Sequence, residues 1–408
     1  MAPDIDLVDP DVYERGGMPH DQFGWLRENA PVFWHHGDRE RGWPGFWAIT
    51  RHEDVVRVSR HPEIFSSRER LALFDEIPGD DLSLQQMMML NQDPPEHSRK
   101  RGIVNRGFTP RAIGALEQHI RDICRELVDE VLITDQADFV RDVAATLPLY
   151  VICELLGAPV EDRGKIFEWS NRLIGGDDPE FQQTREDGQE AAAQLYAYAN
   201  ELAAARRENP RDDIVTKLLQ PDDKGHELST DEFDLFVLLL SVAGNETTRN
   251  AASGGMLALL EHPGEWRRLR EGTATTATAV EEIVRWVTPV NLFRRTAMRD
   301  IELRGQQIKE GDKVVVFYGS ANRDEKIFDT AEAFDVGRDP NPHIGFGGGG
   351  PHFCLGAHLA RLELRVLFET LLDSAPNIEL SGNVRRLRSN FINGIKEMPV
   401  RFRTDGTP

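Results

Sequence analysis

Four consecutive glycines, Gly347 to Gly350, stand between Phe346 and the tripeptide Pro351-His352-Phe353. Such a run costs backbone entropy on ordering, so a folded chain that keeps it needs unusual dihedral angles or the close approach of a flat object. Directly after it, Cys354 opens a helical pattern in which Leu355, Leu359, Leu362 and Val366 recur about once per turn, out to about Leu372. A cysteine at a helix start faces unpaired N–H groups and the positive helix end. That predicts a lowered thiol pKa and a thiolate suited to a soft metal. One thiolate closes neither a zinc nor an iron–sulfur site, and no Cys-x-x-Cys pair is present. The competing reading is a structural glycine loop with an inert, buried cysteine.

A haem iron needs only one protein thiolate, because the porphyrin supplies four nitrogens. The stretch Phe346 to Gly356 resembles the haem-binding loop of the cytochrome P-450 monooxygenases, with Cys354 as axial ligand of haem b. His352 and Gly356 keep the family's offsets from the cysteine. Phe346 stands eight residues before Cys354, where the common form of the loop has one residue fewer, so this loop carries an extra glycine. The resemblance covers nearly the whole chain. It implies a mainly α (α+β) fold, a triangular helical body with a long central helix and small β-sheets, forming one domain over residues 1–408.

Composition narrows the partners. The chain has 408 residues and a formal charge of −21, a surface that repels nucleic acid and anionic membranes at a distance. A local basic face remains open at Arg99, Lys100, Arg101, Arg106 and Arg111. The three cysteines, Cys124, Cys153 and Cys354, offer no disulfide framework and suit a reducing compartment. The first residues lack a basic then apolar leader, and no run reaches the roughly 18 apolar residues of a membrane span. The expectation is a cytoplasmic protein with no nucleic-acid partner and no transmembrane segment.

Along the chain, Gly24-Trp25-Leu26 suggests a short helix, and Val32-Phe33-Trp34 and Phe46 to Ile49 read as two strands around a polar Gly/Pro turn. His52 to Val58 opens another helix. Pro78-Gly79-Asp80 reads as a turn, and Gly175 to Pro179 as a loop. Helical patterns dominate from Glu96 to Leu173 and again over 188–205. Ser229 and Glu232 have capping-box spacing, opening a helix of about 30 residues that Pro263 stops. A further helix spans about 276–287, and 296–318 alternates like short strands.

Inside the long helix lies Ala243-Gly244-Asn245-Glu246-Thr247-Thr248. Glycine, an acid and two threonines break local helix preference in an otherwise apolar segment, and such breaks mark sites. The sextet resembles the family's oxygen-activation motif. It implies that Thr247 bonds oxygen or a nearby water, that Glu246 relays protons from solvent, and that Gly244 leaves room for dioxygen. Glu282 and Arg285, one turn apart, resemble the family's Glu-x-x-Arg pair, locked to the region Glu332 to Arg338 and serving folding and haem incorporation. His97 and Arg101, four apart, with Arg295 and His352, match the family's contacts to the haem propionates.

The same family geometry places Leu239, Val242 and Ala243 over the haem. Val290 to Phe293 lie beside it, Phe391 and Ile392 reach in from a C-terminal turn, and Phe74 with the Met87-Met88-Met89-Leu90 patch completes a long apolar cavity. The motifs are most similar to bacterial members that hydroxylate steroid side chains, branched lipids or terpenoids. A tailoring hydroxylase of a polyketide or other secondary metabolite is the alternative. No flavin or nicotinamide fingerprint is present, so the resemblance implies electrons from a ferredoxin and its NAD(P)H-dependent reductase, with Arg361, Arg365 and the Arg99 to Arg111 run as docking cations. A peroxide-driven enzyme is disfavoured by the intact Glu246-Thr247 pair. A haem sensor or electron-transfer protein needs neither that pair nor an apolar cavity.

Overall fold

Ser229 starts the longest element. Its hydroxyl accepts from the Glu232 N–H at 3.2 Å, and the Glu232 carboxylate accepts from the Ser229 N–H at 3.0 Å. From there the central helix, Thr230–Glu261, runs 32 residues, about 48 Å at 1.5 Å per residue. Pro263 then opens the next helix, Pro263–Arg270, as its first residue, where its missing N–H costs nothing. In this computed structural model, residues 4–37, 44–76, 79–134, 136–174, 176–211, 213–222, 225–375 and 377–402 are described.

The central helix is buried over most of its surface because other helices surround it. Thr146–Leu155, Arg163–Ile174, Arg185–Glu208, Thr276–Val287 and Ala357–Ser374 all pack against it. Met256, Ile283, Leu364 and Leu367 meet in the largest core with Val128 of the helix Glu117–Thr134, all fully buried. Each such side chain contributes about 1.5–3 kcal/mol.

Among the described residues, β-structure is confined to four small sheets. The largest has five strands: Val32–His35 pairs antiparallel with Phe46–Ile49, which runs parallel to Lys313–Phe317, followed by Leu292–Ala297 and Phe65–Ser66. Phe23, Phe46, Leu292 and Phe317 form a second core against it. The two N-terminal strands and the alternation over 296–318 fall as expected, and the turn between the strands falls largely on 38–43, outside the described residues. Pro78 and Gly175 also lie outside them. Gly79 and Asp80, expected in a turn, instead begin the helix Gly79–Gln85. No helix among the described residues is long and apolar enough to cross a membrane.

Candidate functional site

In the middle of the central helix one stripe stays open between buried neighbours. Leu239, Val242, Gly244 and Thr247 are half-buried and Ala243 is exposed, whereas Phe233 to Leu238, Asn245, Glu246 and Thr248 to Ser253 are buried. Positions 239, 243 and 247 are four apart, so the stripe is one helix face that its neighbours leave uncovered, the cleft side of the helix. On it the Thr247 hydroxyl donates to the Ala243 carbonyl at 2.7 Å. Its oxygen lone pairs remain available as acceptors. Gly244 does not clear this face as expected. A Cβ there would lie 2.5 Å from Ile152 Cδ1, so the glycine lets the helix Thr146–Leu155 approach closely.

Glu246 points into the packing. It is 0% exposed, its Oε2 pairs with Arg249 one turn later, and its Oε1 has no partner. Burial pushes its carboxyl up, and Arg249 only partly offsets that. Arg249 in turn donates from Nη1 to Asn171 Oδ1 at 3.0 Å, on the helix Arg163–Ile174. Sequence reasoning missed Arg249 and Asn171. The signal was present, since Glu246-Thr247-Thr248-Arg249 is itself a Glu-x-x-Arg spacing.

The glycine loop turns hard before the Ala357–Ser374 helix. Gly347, Gly349 and Gly350 have φ of 99°, 85° and 76°, in the region that favours glycine. A Cβ on Gly348 would lie 2.6 Å from Ser59 Oγ, so the run is thin because it is pressed against the helix His52–Arg60. The Cys354 N–H donates to the Phe346 carbonyl at 2.9 Å, closing the loop, while Arg361 sits 4.4 Å above the Phe346 ring. Cys124 and Cys153 are buried in helix packing; Cys354 is exposed. Although the residue is exposed, its sulfur is enclosed by protein at longer range. That enclosure pushes the thiol up and outweighs the Gly356 N–H and the Arg101 and Arg361 guanidiniums, so the lowered thiol pKa expected from the helix end is overturned for the chain by itself.

Beside this loop is a polar corner. The rings of His97 and His352 lie 4.3 Å apart, tilted by 49°. Burial first, then Arg101, holds His97 down to about 4; burial, then Arg295, holds His352 well below its ordinary value. Both imidazoles are therefore neutral. His97 Nδ1 and His352 Nε2 are buried with no partner. Arg101 donates to the Phe353 carbonyl at 2.8 Å, and Arg295 to the Arg294 carbonyl at 2.7 Å.

The Thr276–Val287 helix ties the loop to the body. Glu282 and Arg285 are both 0% exposed and doubly bonded to each other at 2.7 and 2.8 Å. The Glu282 carboxylate also accepts from the Asp335 N–H, Arg338 Nε and Asn341 Nδ2, and Arg285 reaches the carbonyls of Asn322, Ala331 and Ala333. Neighbouring Glu281 takes Arg361 at 2.6 and 2.8 Å and His343 at 2.9 Å. Against its burial, those partners hold its carboxyl down to about 2.

Residues 274–374 match the family Cytochrome P450. Over 407 residues the chain is 48% identical to a steroid C26-monooxygenase of Rhodococcus jostii (strain RHA1), covering 98% of this chain and 85% of that one. The chain belongs to the cytochrome P450 family. It is also 44% identical to a methyl-branched lipid omega-hydroxylase of Mycobacterium tuberculosis (strain ATCC 25618 / H37Rv) over 391 residues, 93% of this chain and 90% of that one. Its fold superposes on a Mycobacterium marinum cytochrome P450 in complex with pseudoionone with a TM-score of 0.90 at 38% identity, covering 98% and 99% of the two chains. This is the mainly helical, triangular P450 fold with small β-sheets.

The P450 is thus a haem-thiolate monooxygenase, an O2-dependent oxidoreductase whose cofactor is haem b. Its residues fit that group. The polar corner holds unpartnered imidazole nitrogens and arginines suited to two carboxylates, the loop offers one exposed cysteine, and the open helix stripe is apolar up to Thr247.

Some of the expected pocket residues come together. Val290 bridges to Ile392, the Asn291 N–H donates to the Phe391 carbonyl at 2.8 Å, and the Phe293 and Phe391 rings meet edge to face at 5.6 Å. Met87, Met88 and Leu239 join a separate cluster with Leu195, Leu235 and Leu238. Phe74 is a correction. It is buried in the sheet-side core, edge-on to Phe46 at 5.4 Å with the Lys313 ammonium 3.8 Å over its ring, so it supports the sheet instead of lining a wall. The expected basic face is also largely consumed. Arg99 pairs with Glu232, Lys100 is buried on the Met87 carbonyl, Arg106 caps backbone carbonyls of 217–221, and Arg365 pairs with Glu117 and Glu369.

Proposed function

We propose that the chain hydroxylates the apolar end of a steroid side chain or a methyl-branched lipid, with Cys354 as the haem ligand. The observation that carries this reading is the open stripe Leu239, Val242, Ala243 and Thr247 on an otherwise buried helix. It is supported by the Val290, Phe293, Phe391 and Ile392 group, and by end-to-end likeness to a steroid C26-monooxygenase and a methyl-branched lipid omega-hydroxylase. Haem, when bound, supplies the activation of dioxygen. The chain's own residues orient the substrate, exclude water and move protons. An apolar wall favours a substrate whose reacting end carries no charge.

In this reading Thr247 passes protons at the cleft through its Oγ1, whose lone pairs stay open while its hydrogen rests on Ala243. Glu246 supplies the proton from within the packing. His97, Arg101, Arg295 and His352 bind the two haem carboxylates. The Glu282 and Arg285 pair holds the loop so that Cys354 stays in register. Electrons come from a ferredoxin and its NAD(P)H-dependent reductase, since the sequence holds no flavin or nicotinamide fingerprint, and the protein works in the cytoplasm.

Reduced protein under carbon monoxide is expected to show the red-shifted Soret band of thiolate-ligated haem, and C354S to lose it. A normal band in that variant would remove Cys354 as the ligand. A spectral titration with steroids, branched fatty acids and compact terpenoids, followed by product analysis, tests the substrate. Terminal hydroxylation of the steroid or lipid is expected; a response confined to terpenoids or polyketides would replace this reading with the tailoring one.

A further inference from the structure

The face of the central helix opposite the cleft carries a polar seam that the site described above does not use. Ser241, Asn245 and Arg249 are spaced four apart and so share one face. Against it lies the helix Arg163–Ile174, from which Ser170 Oγ donates to the Ser241 carbonyl at 3.3 Å and Asn171 Oδ1 accepts from Arg249 at 3.0 Å. Asn245 is 0% exposed with neither side-chain atom partnered, and Glu246 Oε1 and Arg249 Nε are likewise buried and unpartnered. Four unsatisfied polar atoms within one helical turn are unusual in packed protein. Two of them are donors, Asn245 Nδ2 and Arg249 Nε, and two are acceptors, Asn245 Oδ1 and Glu246 Oε1.

We infer that Arg249 is a positioning residue: one arm of its guanidinium fixes where the Glu246 carboxylate points, and the other, through Asn171, makes that orientation depend on how the helix Arg163–Ile174 sits against the central helix. The inference rests on the reading of Glu246 as a proton-handling group. Other charged side chains around the seam are engaged elsewhere. Arg172 pairs with Glu190, Arg163 lies over the Tyr150 ring, and Glu154 takes His119. Arg141 pairs with Asp142, Arg285 with Glu282, and Glu363 faces Cys124. That leaves Arg249 as the cation that balances Glu246 among the described residues. The helix Arg163–Ile174 is itself tied to Arg185–Glu208 by Arg172, which donates to the Asp187 carbonyl at 2.7 Å and pairs with Glu190 at 2.9 Å. A shift of that helical pair therefore pulls on Asn171.

The test uses holoenzyme with its reductase system and any substrate giving a spectral shift. R249M is expected to lower product formed per electron by about tenfold, a modest loss for a misplaced proton donor, with haem content and the carbon monoxide spectrum unchanged. R249K should restore most of it. In R249M the midpoint of the pH profile should move up by about one to two units, the strength of a lost charged hydrogen bond. In an E246Q background R249M should add nothing. If it costs as much there as in wild type, the inference is overturned while the Glu246 reading stands. If E246Q alone leaves yield and solvent isotope effect unchanged, the Glu246 reading fails. The inference is then judged by infrared titration of the Glu246 carboxyl: an upward shift in R249M supports it, and no shift overturns it. Should R249M not fold, N171A carries the test. A yield roughly halved, with the E246Q background again silent, supports the coupling, and an unchanged yield overturns it.

Discussion

Two Glu-x-x-Arg pairs lie within 40 residues of each other in sequence, and they are finished differently. Glu282 and Arg285 are bidentate, and every remaining donor and acceptor finds a partner brought in from 322–341. Glu246 and Arg249 share a single contact and leave Glu246 Oε1 and Arg249 Nε unpartnered although both residues are buried. A buried charge without its full complement is held at a cost, which is tolerable only where the spare capacity is used. The first pair is fully bonded to the segment that precedes the cysteine loop. The second leaves two buried polar atoms unpartnered, one of them on Glu246, the residue next to Thr247 of the open stripe.

The difference can be broken experimentally. R285M should destabilise by about 3–5 kcal/mol, because it strands a buried carboxylate and three carbonyls at once; urea unfolding measures this, and haem retention should fall with it. A third carboxylate, Glu363, sharpens the contrast, since burial with no cation pushes its acid up to about 8 from 4.5. The folded state keeps this proton where the unfolded chain has released it. Its contribution is therefore complete below 4.5 and is lost as pH rises through about 8. The stability of wild type relative to E363Q should fall by about 1.4 kcal/mol per pH unit across that window and level off above it, in unfolding curves at fixed ionic strength.

The smallest effect should come from replacing both members of the looser pair. E246L/R249M should unfold within about 1 kcal/mol of wild type, since two incompletely bonded charges give way to apolar side chains. E282L/R285M should remain severely destabilised, because the backbone groups of 322–335 lose their partners. Equal losses in the two double variants would erase the distinction between lock and spare capacity.

Much of the site was legible from local rules. The capping box of Ser229 and Glu232, the stop at Pro263 and the cysteine at a loop-to-helix junction depend on neighbours within a few residues, and all appear where the pattern puts them. Phe74 and Gly244 were misplaced for the same reason in reverse. An apolar ring or a missing side chain does not say which neighbour it meets, and here those neighbours are Phe46 with Lys313, and Ile152. Nor could a run of arginines from 99 to 111 show that Glu232 and the carbonyls of 217–221 would take it up.

By itself the sequence determined a long helix interrupted by a polar sextet, a cysteine at a loop-to-helix junction, and two Glu-x-x-Arg spacings whose side chains meet because 3.6 residues make a turn. Which pair would be saturated and which left with free atoms was decided only by tertiary packing. Hydrogen-bond partners such as Asp335, Arg338, Asn341 and Asn171 arrive from distant segments, and spacing within one helix carries no information about them.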